Sequence, residues 1–472
     1  MANKLWGGRF EQAQEAALFS FLSSENAGLD CELAAYDIDG SIAHVAMLAR
    51  QKILTKEEAK EILLALFTIK ASEAAGKFQI DPKLEDVHTN VEAAVTKITA
   101  HGKKMHTARS RNDQVCLDTR LYMRDAINAL SGDILALQRS LSALSENDCV
   151  FPTYTHTQVA QPASLSFWAH CHYHALERDL SRLNDLYARV NQNPLGSGAV
   201  AGTTWHIDRV YVSRLLGFSS PTENPMDTVS NRGEMEVALL SALYLALSHC
   251  SRIAEDIILL SNKRLCILPD EYSTGSSMMP QKKNPDPLEL VRGKCSRMLG
   301  LYVHAASLLK GVPSGYNLDS QESKYALLQG VKAAHESFSI LSKIVPLLKF
   351  NPEKISLELE EGFACATELA DLLSKKGVPF RKSHEITGGI VRDCIAKKKF
   401  LSSLSAKEVS ELAGVLISPA ELSEAVSVDK VARFAAAYKI PSVSAYSKKL
   451  ALRKRTLGDA QKLLEKEARS LL

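Results

Sequence analysis

A run of hydroxyl, ammonium and amide side chains occupies Gly275–Asp286, which reads GSSMMPQKKNPD. Ser276 offers a hydroxyl, Lys282 a positive charge and Asn284 an amide donor. Two prolines then precede an apolar pattern that starts at Leu288 and predicts the first turn of a helix. Because a helix N-terminus favours anions, the segment predicts a place that holds a negatively charged species. Composition alone also fits a solvated surface loop.

A second segment, His106–Gln114 (HTARSRNDQ), places arginines among residues that cap helices. Guanidinium groups bind carboxylates bidentately, so Arg109 and Arg111, which flank Ser110, are candidate carboxylate ligands, with Asn112 beside Arg111. Ser110, Asn112 or Asp113 could instead be the N-cap of the helix that follows. The two interpretations are compatible, because a cap and an anion site use the same helix end.

Two histidines lie among polar neighbours. His156, in TYTHTQVAQP (Thr153–Pro162), lies between two long helical patterns, where it could carry a proton; a histidine without a chemical role is the alternative. His88 lies among acids in EDVHTNVE (Glu85–Glu92). No second histidine stands at a metal-ligand offset from His88, so we expect no metal there.

Two further connections carry polar residues. LGSGAVAGTT (Leu195–Thr204) lacks the spacing of a nucleotide-phosphate loop, so it predicts either close backbone approach to a ligand or tight packing. YNLDSQESK (Tyr316–Lys324) supplies a phenol, amides and a lysine at a helix entry, which also suits an ordinary helix start.

Long helices must position these segments. Apolar residues recur at steps of three and four along five stretches, each about twice the usual helix length. The stretches are residues 112–144, 165–190, 234–260, 288–309 and 321–348. Residues 236–260 are apolar on more than one face, which predicts burial all round. We infer that copies of the chain share a helical core; burial inside one large domain is the alternative.

The chain of 472 residues is too long for one ordinary core. Strand signals are weak, so we predict a mainly α fold in three domains: residues 1–110, mixed but mostly helical; 111–360, the long-helix bundle; and 361–472, a small helical domain. Residues 148–162, 193–209, 268–287 and 311–320 contain glycine or proline, and we expect them to be loops at the ends of the bundle.

Composition excludes several classes of function. A net charge of +3 gives no reason to expect a nucleic-acid or membrane partner. The nine cysteines form no C-x-x-C pair, which is typical of reduced thiols in a cytoplasmic protein. The N-terminus does not resemble a secretory signal, and no uninterrupted apolar run is long enough to predict a membrane span.

In this order, the segments resemble the fumarase/aspartase superfamily and, within it, the argininosuccinate lyases. The superfamily signature GSS-x-MP-x-K-x-NP is complete at Gly275–Pro285. The narrower resemblance covers the chain from end to end and is weakest over the C-terminal residues. It rests on KLWGGRF (Lys4–Phe10), DIDGSIAH (Asp37–His44), HTARSRNDQV (His106–Val115), TYTHTQVAQP, LGSGAVAGTT, the YN-x-D-x-QE-x-K pattern (Tyr316–Lys324) and ATELADLLSKKGVPFRKSHEI (Ala366–Ile386).

The resemblance implies a homotetramer in which the five-helix bundles of the copies form a twenty-helix core. It implies active sites composed of segments from three chains, with no metal and no organic cofactor. The implied reaction, the last step of arginine biosynthesis, which also belongs to the urea cycle, cleaves argininosuccinate to L-arginine and fumarate. It is an anti β-elimination through a carbanion.

The resemblance also assigns residue roles. Ser276 is the implied base, and His156, oriented by Glu289, is the implied proton donor to the leaving guanidinium nitrogen. Lys282 and Asn284 are implied to stabilise the intermediate. The residues implied to hold substrate are Ser110, Arg111, Asn112, Thr155, Tyr316, Gln321, Lys324, His88 and Arg232.

The chain departs from the family pattern in four places. Asn26 stands where the family often has serine. Three family patterns are altered as well: S-D-R-D-F reads SNRGE at residues 230–234, F-P-I-D-R reads WHIDR at 205–209, and Y-N-R-D reads YNLD at 316–319. These changes bear on rate, loop anchoring and substrate preference. The altered residues are Asn26, His206, Asn231, Gly233, Glu234 and Leu318.

Three other functions remain open at this point. One is a sister lyase, such as adenylosuccinate lyase or an aspartase-like enzyme, which the HTARSRNDQV and WGGRF motifs disfavour. Another is a structural protein of the crystallin type, which the intact set of catalytic residues disfavours. The last is an inactive regulatory subunit that needs an active partner.

Overall fold

The computed structural model describes residues 29–84, 86–146, 149–432 and 444–472, together with positions 21 and 440. The KLWGGRF motif and Asn26 lie outside these residues. The described chain is mainly helical, which confirms the predicted fold class. In chain order its helices are α1 (Ala34–Arg50), α2 (Lys56–Ala74), α3 (Val87–Ile98), α4 (Arg111–Ser145), α5 (Leu165–Val190), α6 (Arg209–Leu215), α7 (Pro225–Ser230), α8 (Glu234–Asn262), α9 (Asp286–Leu308), α10 (Ser323–Ile344), α11 (Pro352–Glu361), α12 (Ala366–Lys375), α13 (Phe380–Lys397), α14 (Ala406–Ala413), α15 (Pro419–Val426), α16 (Val428–Ala432) and α17 (Ala445–Arg469).

Short elements complete the described chain. Single 3₁₀ turns span Cys31–Leu33, Ala100–Lys104, Asp270–Tyr272, Leu318–Glu322, Val345–Leu347 and Leu401–Ser403. The strands are β1 (Val150–Thr155), β2 (Gln158–Ser164), β3 (Gln192–Asn193), β4 (Ser220–Pro221), β5 (Cys266–Ile267), β6 (Thr274–Gly275), β7 (Lys283–Asn284) and β8 (Lys349–Phe350). They pair two by two, β1 with β2, β3 with β4, β5 with β8 and β6 with β7.

The five predicted long helices are α4, α5, α8, α9 and α10. The last of them ends at Ile344 rather than at residue 348, because Pro346 cannot donate the next helical hydrogen bond. Helix α8 packs against α5, α9 and α10, and α4 packs against α5 and α10. By length and composition alone α8 could cross a membrane, but half of its most apolar window is buried inside this chain. It is therefore a core helix of the bundle.

The prediction that residues 148–162 form a loop is wrong. Strands β1 and β2 pair there as an antiparallel hairpin, with Phe151 opposite Ala163. The prolines at 152 and 162 face each other and interrupt the usual strand pattern in the sequence. Residues outside the hairpin stabilise it by packing. The centre of the Phe151 ring lies 5.6 Å from the centre of the Trp168 ring and 5.7 Å from that of Phe350.

Three apolar cores can be distinguished. One lies between α1, α2 and α3, the second fills the long-helix bundle, and the third lies among α12, α13, α14 and α15. Helix α17 returns across the molecule, packs on α1, α4 and α6, and adds Leu464 and Ala468 to the first core.

The long helices separate two groups of loops. One group, the Arg111 end, contains the start of α4, the start of α8 and the connection between α9 and α10. The other, the Ser276 end, contains the β1–β2 hairpin after α4 and the connection between α8 and α9. Helix α4 alone has 35 residues, so it spans about 52 Å between these ends.

Candidate active site

The start of α4 is a capped helix end that also presents Arg111. The hydroxyl oxygen of Ser110 accepts a hydrogen bond from the Asn112 N–H at 3.3 Å, and Asp113 Oδ1 accepts one from the Ser110 N–H at 2.9 Å. Both interpretations of this segment can therefore hold, because the capped end and the arginine coincide.

Arg111 is fixed by three protein acceptors. Its Nε lies 2.9 Å from Asp86 Oδ2, one terminal nitrogen donates to Gln114 Oε1 at 2.7 Å, and the other donates to Thr89 Oγ1 at 3.1 Å. Since a guanidinium has five N–H groups, one remains on each terminal nitrogen. Two such N–H groups, one on each terminal nitrogen, can bind the two oxygens of a carboxylate. Burial opposes ionisation of Asp86, but the charges of His88 and Arg111 hold the pKa of this carboxyl below its usual range.

The glycine-rich connection joins this end through Asp113. Asp113 Oδ2 accepts hydrogen bonds from the Gly196 N–H at 2.9 Å and the Gly198 N–H at 2.8 Å. Gly198 has φ +61°, and a Cβ there would lie 2.5 Å from Gly202 O. Only glycine fits this approach. The same connection reaches the site, because Asn112 Nδ2 donates to Ala199 O at 3.1 Å.

His88 is buried between two carboxylates. Its Nδ1 lies 2.9 Å from Asp37 Oδ1 and 3.2 Å from Asp118 Oδ2. Burial opposes ionisation of Asp37, but the charge of His88 and its hydrogen bond lower the pKa of that carboxyl to about 2. Burial and the negative charge of Asp37 raise the pKa of Asp118 well above its usual range. The pKa values of the two carboxyls are therefore shifted in opposite directions, so Asp37 ionises more readily than Asp118.

The same three side chains bring ligand-type atoms within 4.8 Å of one another, as a metal site would. The chemistry does not fit a cation, because Arg109 is buried beside both carboxylates and its charge acts on each. Its guanidinium donates to Ser41 Oγ at 3.0 Å. An added cation would be repelled by this neighbour, so we describe the group as a buried ion-pair network.

Lys324 and Arg232 lie at the same end of the bundle. Lys324 is ion-paired with the fully buried Asp30, whose other oxygen accepts the Val87 N–H at 2.9 Å. The guanidinium carbon of Arg232 lies 4.4 Å from the centre of the Tyr316 ring, a cation–π contact. Arg232 and Lys324 line one small cavity together with Gln321.

The altered residues near Arg232 have structural roles. Asn231 Oδ1 accepts a hydrogen bond from Arg120 at 3.2 Å. Gly233 has φ +91° and precedes α8, where its N–H donates to Glu236 Oε2 at 3.1 Å. Burial raises the pKa of Glu236, against the charges of Arg232 and Arg120. Glu236 thus supplies a carboxylate beside the positions where the family has acids. The other altered side chains, those of His206, Glu234 and Leu318, are exposed.

At the opposite end, a closed hairpin carries Ser276. Strands β6 and β7 pair Thr274 with Asn284 and Gly275 with Lys283, so residues 276–282 form a loop tied at its base. Ser276 Oγ accepts hydrogen bonds from the backbone N–H groups of Met278, at 3.3 Å, and Met279, at 3.0 Å. Two such donors favour negative charge on that oxygen.

The two lysines of this loop have different surroundings. Lys283 donates to Leu268 O and pairs with Asp270 at 2.5 Å, so it anchors the loop. Lys282 is exposed on the loop itself. Asn284 Nδ2 donates to Gly275 O at 3.4 Å. Glu289, on the first turn of α9, is exposed and lies 3.9 Å from Arg292.

Thr155 and His156 are at the exposed tip of the β1–β2 hairpin. His156 has φ 52° and the next residue, Thr157, has φ 60°, which is the backbone of a two-residue turn normally occupied by asparagine and glycine. Such positive φ values cost about 1–3 kcal/mol each in other residues and occur often at functional sites.

The chain by itself brings together only part of the expected site. Ser110, Arg111, Asn112 and His88 share one network, with Tyr316, Arg232, Gln321 and Lys324 at the same end. Ser276, Lys282, Asn284 and Glu289 share the other end with Thr155 and His156. Within the described part of the chain, no ion pair or hydrogen bond joins Glu289 to His156.

Sequence reasoning missed the acids that hold these side chains. Asp37 and Asp113 are inside motifs that were recognised, so a signal existed for them. Nothing in the spacing indicates that distant acids would meet a histidine, an arginine and a lysine in one network. The acids in question are Asp30, Asp37, Asp86, Asp113 and Asp118.

Comparison with known proteins decides the family. Residues 8–300 match the family model described as lyase, and residues 363–433 match the model described as argininosuccinate lyase C-terminal. An argininosuccinate lyase from Hahella chejuensis is 42% identical over 414 residues, which are 87% of this chain and 88% of the relative. This chain belongs to the argininosuccinate lyase family.

Solved structures agree with this family's expected fold. An EDDS lyase in complex with formate is similar with a TM-score of 0.82 and 26% identity, covering 98% of this chain and 96% of the other. A class II fumarase from Schistosoma mansoni has a TM-score of 0.72 at 16% identity, covering 90% and 93%, which shows the fold alone. The fold of the single chain expected from the fumarase/aspartase resemblance, mainly α with a long-helix bundle, is confirmed.

Proposed function

We propose that this member of the argininosuccinate lyase family cleaves argininosuccinate to L-arginine and fumarate by anti β-elimination, the last step of arginine biosynthesis. The observation that carries the proposal is the tied loop in which two backbone N–H groups point at Ser276 Oγ. A relative of 42% identity named for this activity supports the choice of substrate.

Ser276 acts as the base in its alkoxide form. A serine hydroxyl is far too weakly acidic to ionise alone, so the alkoxide must be stabilised before it can take a proton from carbon. The N–H groups of Met278 and Met279 supply two preorganised donors, and Lys282 adds positive charge on the same loop. Loss of one such donor typically costs roughly 10²–10³ in rate.

The proton removed by Ser276 lies on the carbon next to a carboxylate. Its removal leaves an aci-carboxylate dianion, which Lys282 and Asn284 stabilise by charge and hydrogen bonding. The C–N bond then breaks, and its electron pair goes to the guanidinium nitrogen. His156 donates a proton to that nitrogen, held in orientation by Glu289, so arginine leaves and fumarate remains.

Substrate carboxylates are held at the Arg111 end. Arg111 keeps two N–H groups after its three protein contacts, and Ser110 and Asn112 add polar groups at the helix N-terminus. The proposed binding set is completed at this end by His88, Tyr316, Gln321, Lys324 and Arg232. Thr155 joins the set from the Ser276 end. All steps are assigned to protein groups, with no metal or organic cofactor.

We propose that each site is shared between chains of a homotetramer, with a twenty-helix core. Support comes from α4, because Arg111 and His156 flank a helix about 52 Å long and cannot meet in one copy. Further support comes from α9, whose solvent face exposes Leu290, Leu299 and Val303. Large exposed apolar side chains along one helix favour burial against another copy.

The division into domains and the cellular location belong to the same proposal. The division into residues 1–110, 111–360 and 361–472 is supported by three separate apolar cores. A cytoplasmic location is supported by nine cysteines without a paired motif. Nucleic acids and membranes are not proposed as partners.

The deciding assay follows fumarate absorbance with purified full-length protein. We expect product from argininosuccinate and none from adenylosuccinate or aspartate. Product from either of these alone would replace the proposal with a sister lyase, and no product from any would favour a structural or regulatory protein.

The choice of base has its own test. Ser276→Ala should abolish turnover while substrate binding and assembly persist, and Ser277→Ala, one residue away, is the matched control. An active Ser276→Ala enzyme with an inactive Ser277→Ala enzyme would overturn the assignment.

A further inference from the structure

Helix α5 carries two histidines one turn apart on the same side. His170 and His174 stand at i and i+4, and their Nε2 atoms lie 3.0 Å from each other. The ring centres are 4.3 Å apart, with the ring planes at 89°. The reaction proposed above uses neither residue.

The two nitrogens share a hydrogen bond, and their separation is also one that two ligands of the same metal ion can adopt. Imidazole nitrogens bind first-row divalent ions at about 2.1 Å, so a 3.0 Å separation corresponds to an N–metal–N angle of about 90°. That angle joins neighbouring positions of an octahedral or square-planar ion. A tetrahedral ion would need the nitrogens about 3.4 Å apart. The pair therefore suits Ni²⁺ or Cu²⁺ better than Zn²⁺.

A metal ion binds the unprotonated nitrogen of a neutral imidazole ring. Binding should therefore displace the hydrogen bond that joins the two Nε2 atoms, with both lone pairs turned towards the ion.

The site lies on a polar surface of α5. His174 and Cys171 are exposed, and farther along the same helix Arg178, Asp185 and Arg189 are exposed. No large exposed apolar side chain lies on α5, in contrast to α9. This part of α5 is thus the side of the bundle that suits water rather than another copy of the chain.

His172, between the two, is a different case. It is buried, and its Nε2 lies 3.0 Å from Asp256 Oδ2, which also accepts a hydrogen bond from Trp168 at 2.9 Å. This histidine ties α5 to α8 and is therefore committed to packing.

We propose that His170 and His174 form a surface site for a divalent transition-metal ion, selective for Ni²⁺ or Cu²⁺, with water completing the coordination. The site is separate from the elimination chemistry and does not depend on the proposed function. Mg²⁺ and Ca²⁺ prefer oxygen ligands and should not bind here.

Titration calorimetry of the chelator-treated full-length protein with NiCl₂ tests the proposal. We expect one Ni²⁺ per chain and a rise in Tm on binding, since an ion that binds only the folded state stabilises it. His170→Gln and His174→Gln should each weaken Ni²⁺ binding at least about tenfold, because a chelate loses half of its protein ligands.

Two control variants make the result specific. His384→Gln removes an exposed histidine from α13, where no histidine stands one turn away, and should leave Ni²⁺ binding unchanged. Cys171→Ser should also bind normally if the two imidazoles are the ligands. The absence of saturable binding, or equal binding by the parent and both chelate variants, would overturn the proposal. Unchanged circular dichroism of the variants would show that they are folded.

Discussion

Complementation between two inactive variants tests the shared site directly. One chain carries Arg111→Met, which removes the proposed carboxylate grip, and the other carries His156→Asn, which removes the proposed proton donor. Each variant alone should lack turnover. The two positions flank helix α4, which is about 52 Å long, so the proposed site must take the two groups from different copies.

The expected recovery follows from random assembly of equal amounts of the two chains. A site is intact when its Arg111 comes from the His156→Asn chain and its His156 comes from the Arg111→Met chain. Each condition is met in half of the cases, so about one quarter of wild-type activity should return. If both groups came from the same chain, no site would be intact.

The assay is fumarate absorbance after co-expression or after dissociation and reassembly, with mixed tetramers verified by mass spectrometry. The matched control mixes a Ser276→Ala chain with a Lys282→Ala chain. Both residues lie on one loop, so each site takes both from the same copy and always carries one of the two changes. Verified mixed tetramers without recovered activity would refute the reasoning. Equal recovery in the control pair would refute it as well.

Further predictions follow from contacts within one chain. Lys282→Ala should reduce kcat roughly 10²-fold or more. Lys283→Ala should mainly lower Tm, because Lys283 is the lysine that anchors the loop to Asp270. Equal losses of kcat in the two variants would contradict this. Asp37→Asn should cost about 2 kcal/mol in urea unfolding at pH 7, since the pKa of this carboxyl falls from 3.8 to about 2. A carboxyl whose pKa is lower in the folded than in the unfolded chain stabilises the fold at pH values above its unfolded pKa. The cost of Asp37→Asn should therefore shrink as the pH falls from about 4 towards 2. Asp118→Asn should cost less than Asp37→Asn at pH 7, because burial and the charge of Asp37 raise the pKa of the Asp118 carboxyl and oppose its ionisation. A larger cost than for Asp37→Asn would overturn this reasoning. Gly198→Ala should destabilise by at least about 2 kcal/mol, measured by the same unfolding.

Much of the fold could be predicted because its largest elements are periodic. Five long apolar patterns coincide with α4, α5, α8, α9 and α10 to within a few residues, and a 3.6-residue period repeated over many turns is a strong local signal. The β1–β2 hairpin was missed for the opposite reason. Its strands are short, contain prolines, and are stabilised by rings from elsewhere in the chain.

In the proposed site, too, some features have a local sequence signal and others depend on distant residues. Ser276 and Arg111 stand in motifs that can be read locally, because a hydroxyl, a guanidinium and a helix start lie within a few residues. The different roles of Lys282 and Lys283 could not be read, since both are lysines on one loop and only the position of Asp270 separates them.

The amino-acid sequence alone determined the family, the helical class and the side chains available for proton transfer, since these depend on residue type and short-range spacing. Only the tertiary structure decided which acids fix His88, Arg111 and Lys324, because those pairs lie far apart in the chain and meet through packing. The tertiary structure also supports the proposal that a site is shared between copies. A rigid 35-residue helix keeps the carboxylate grip and the proposed proton donor at opposite ends of the molecule.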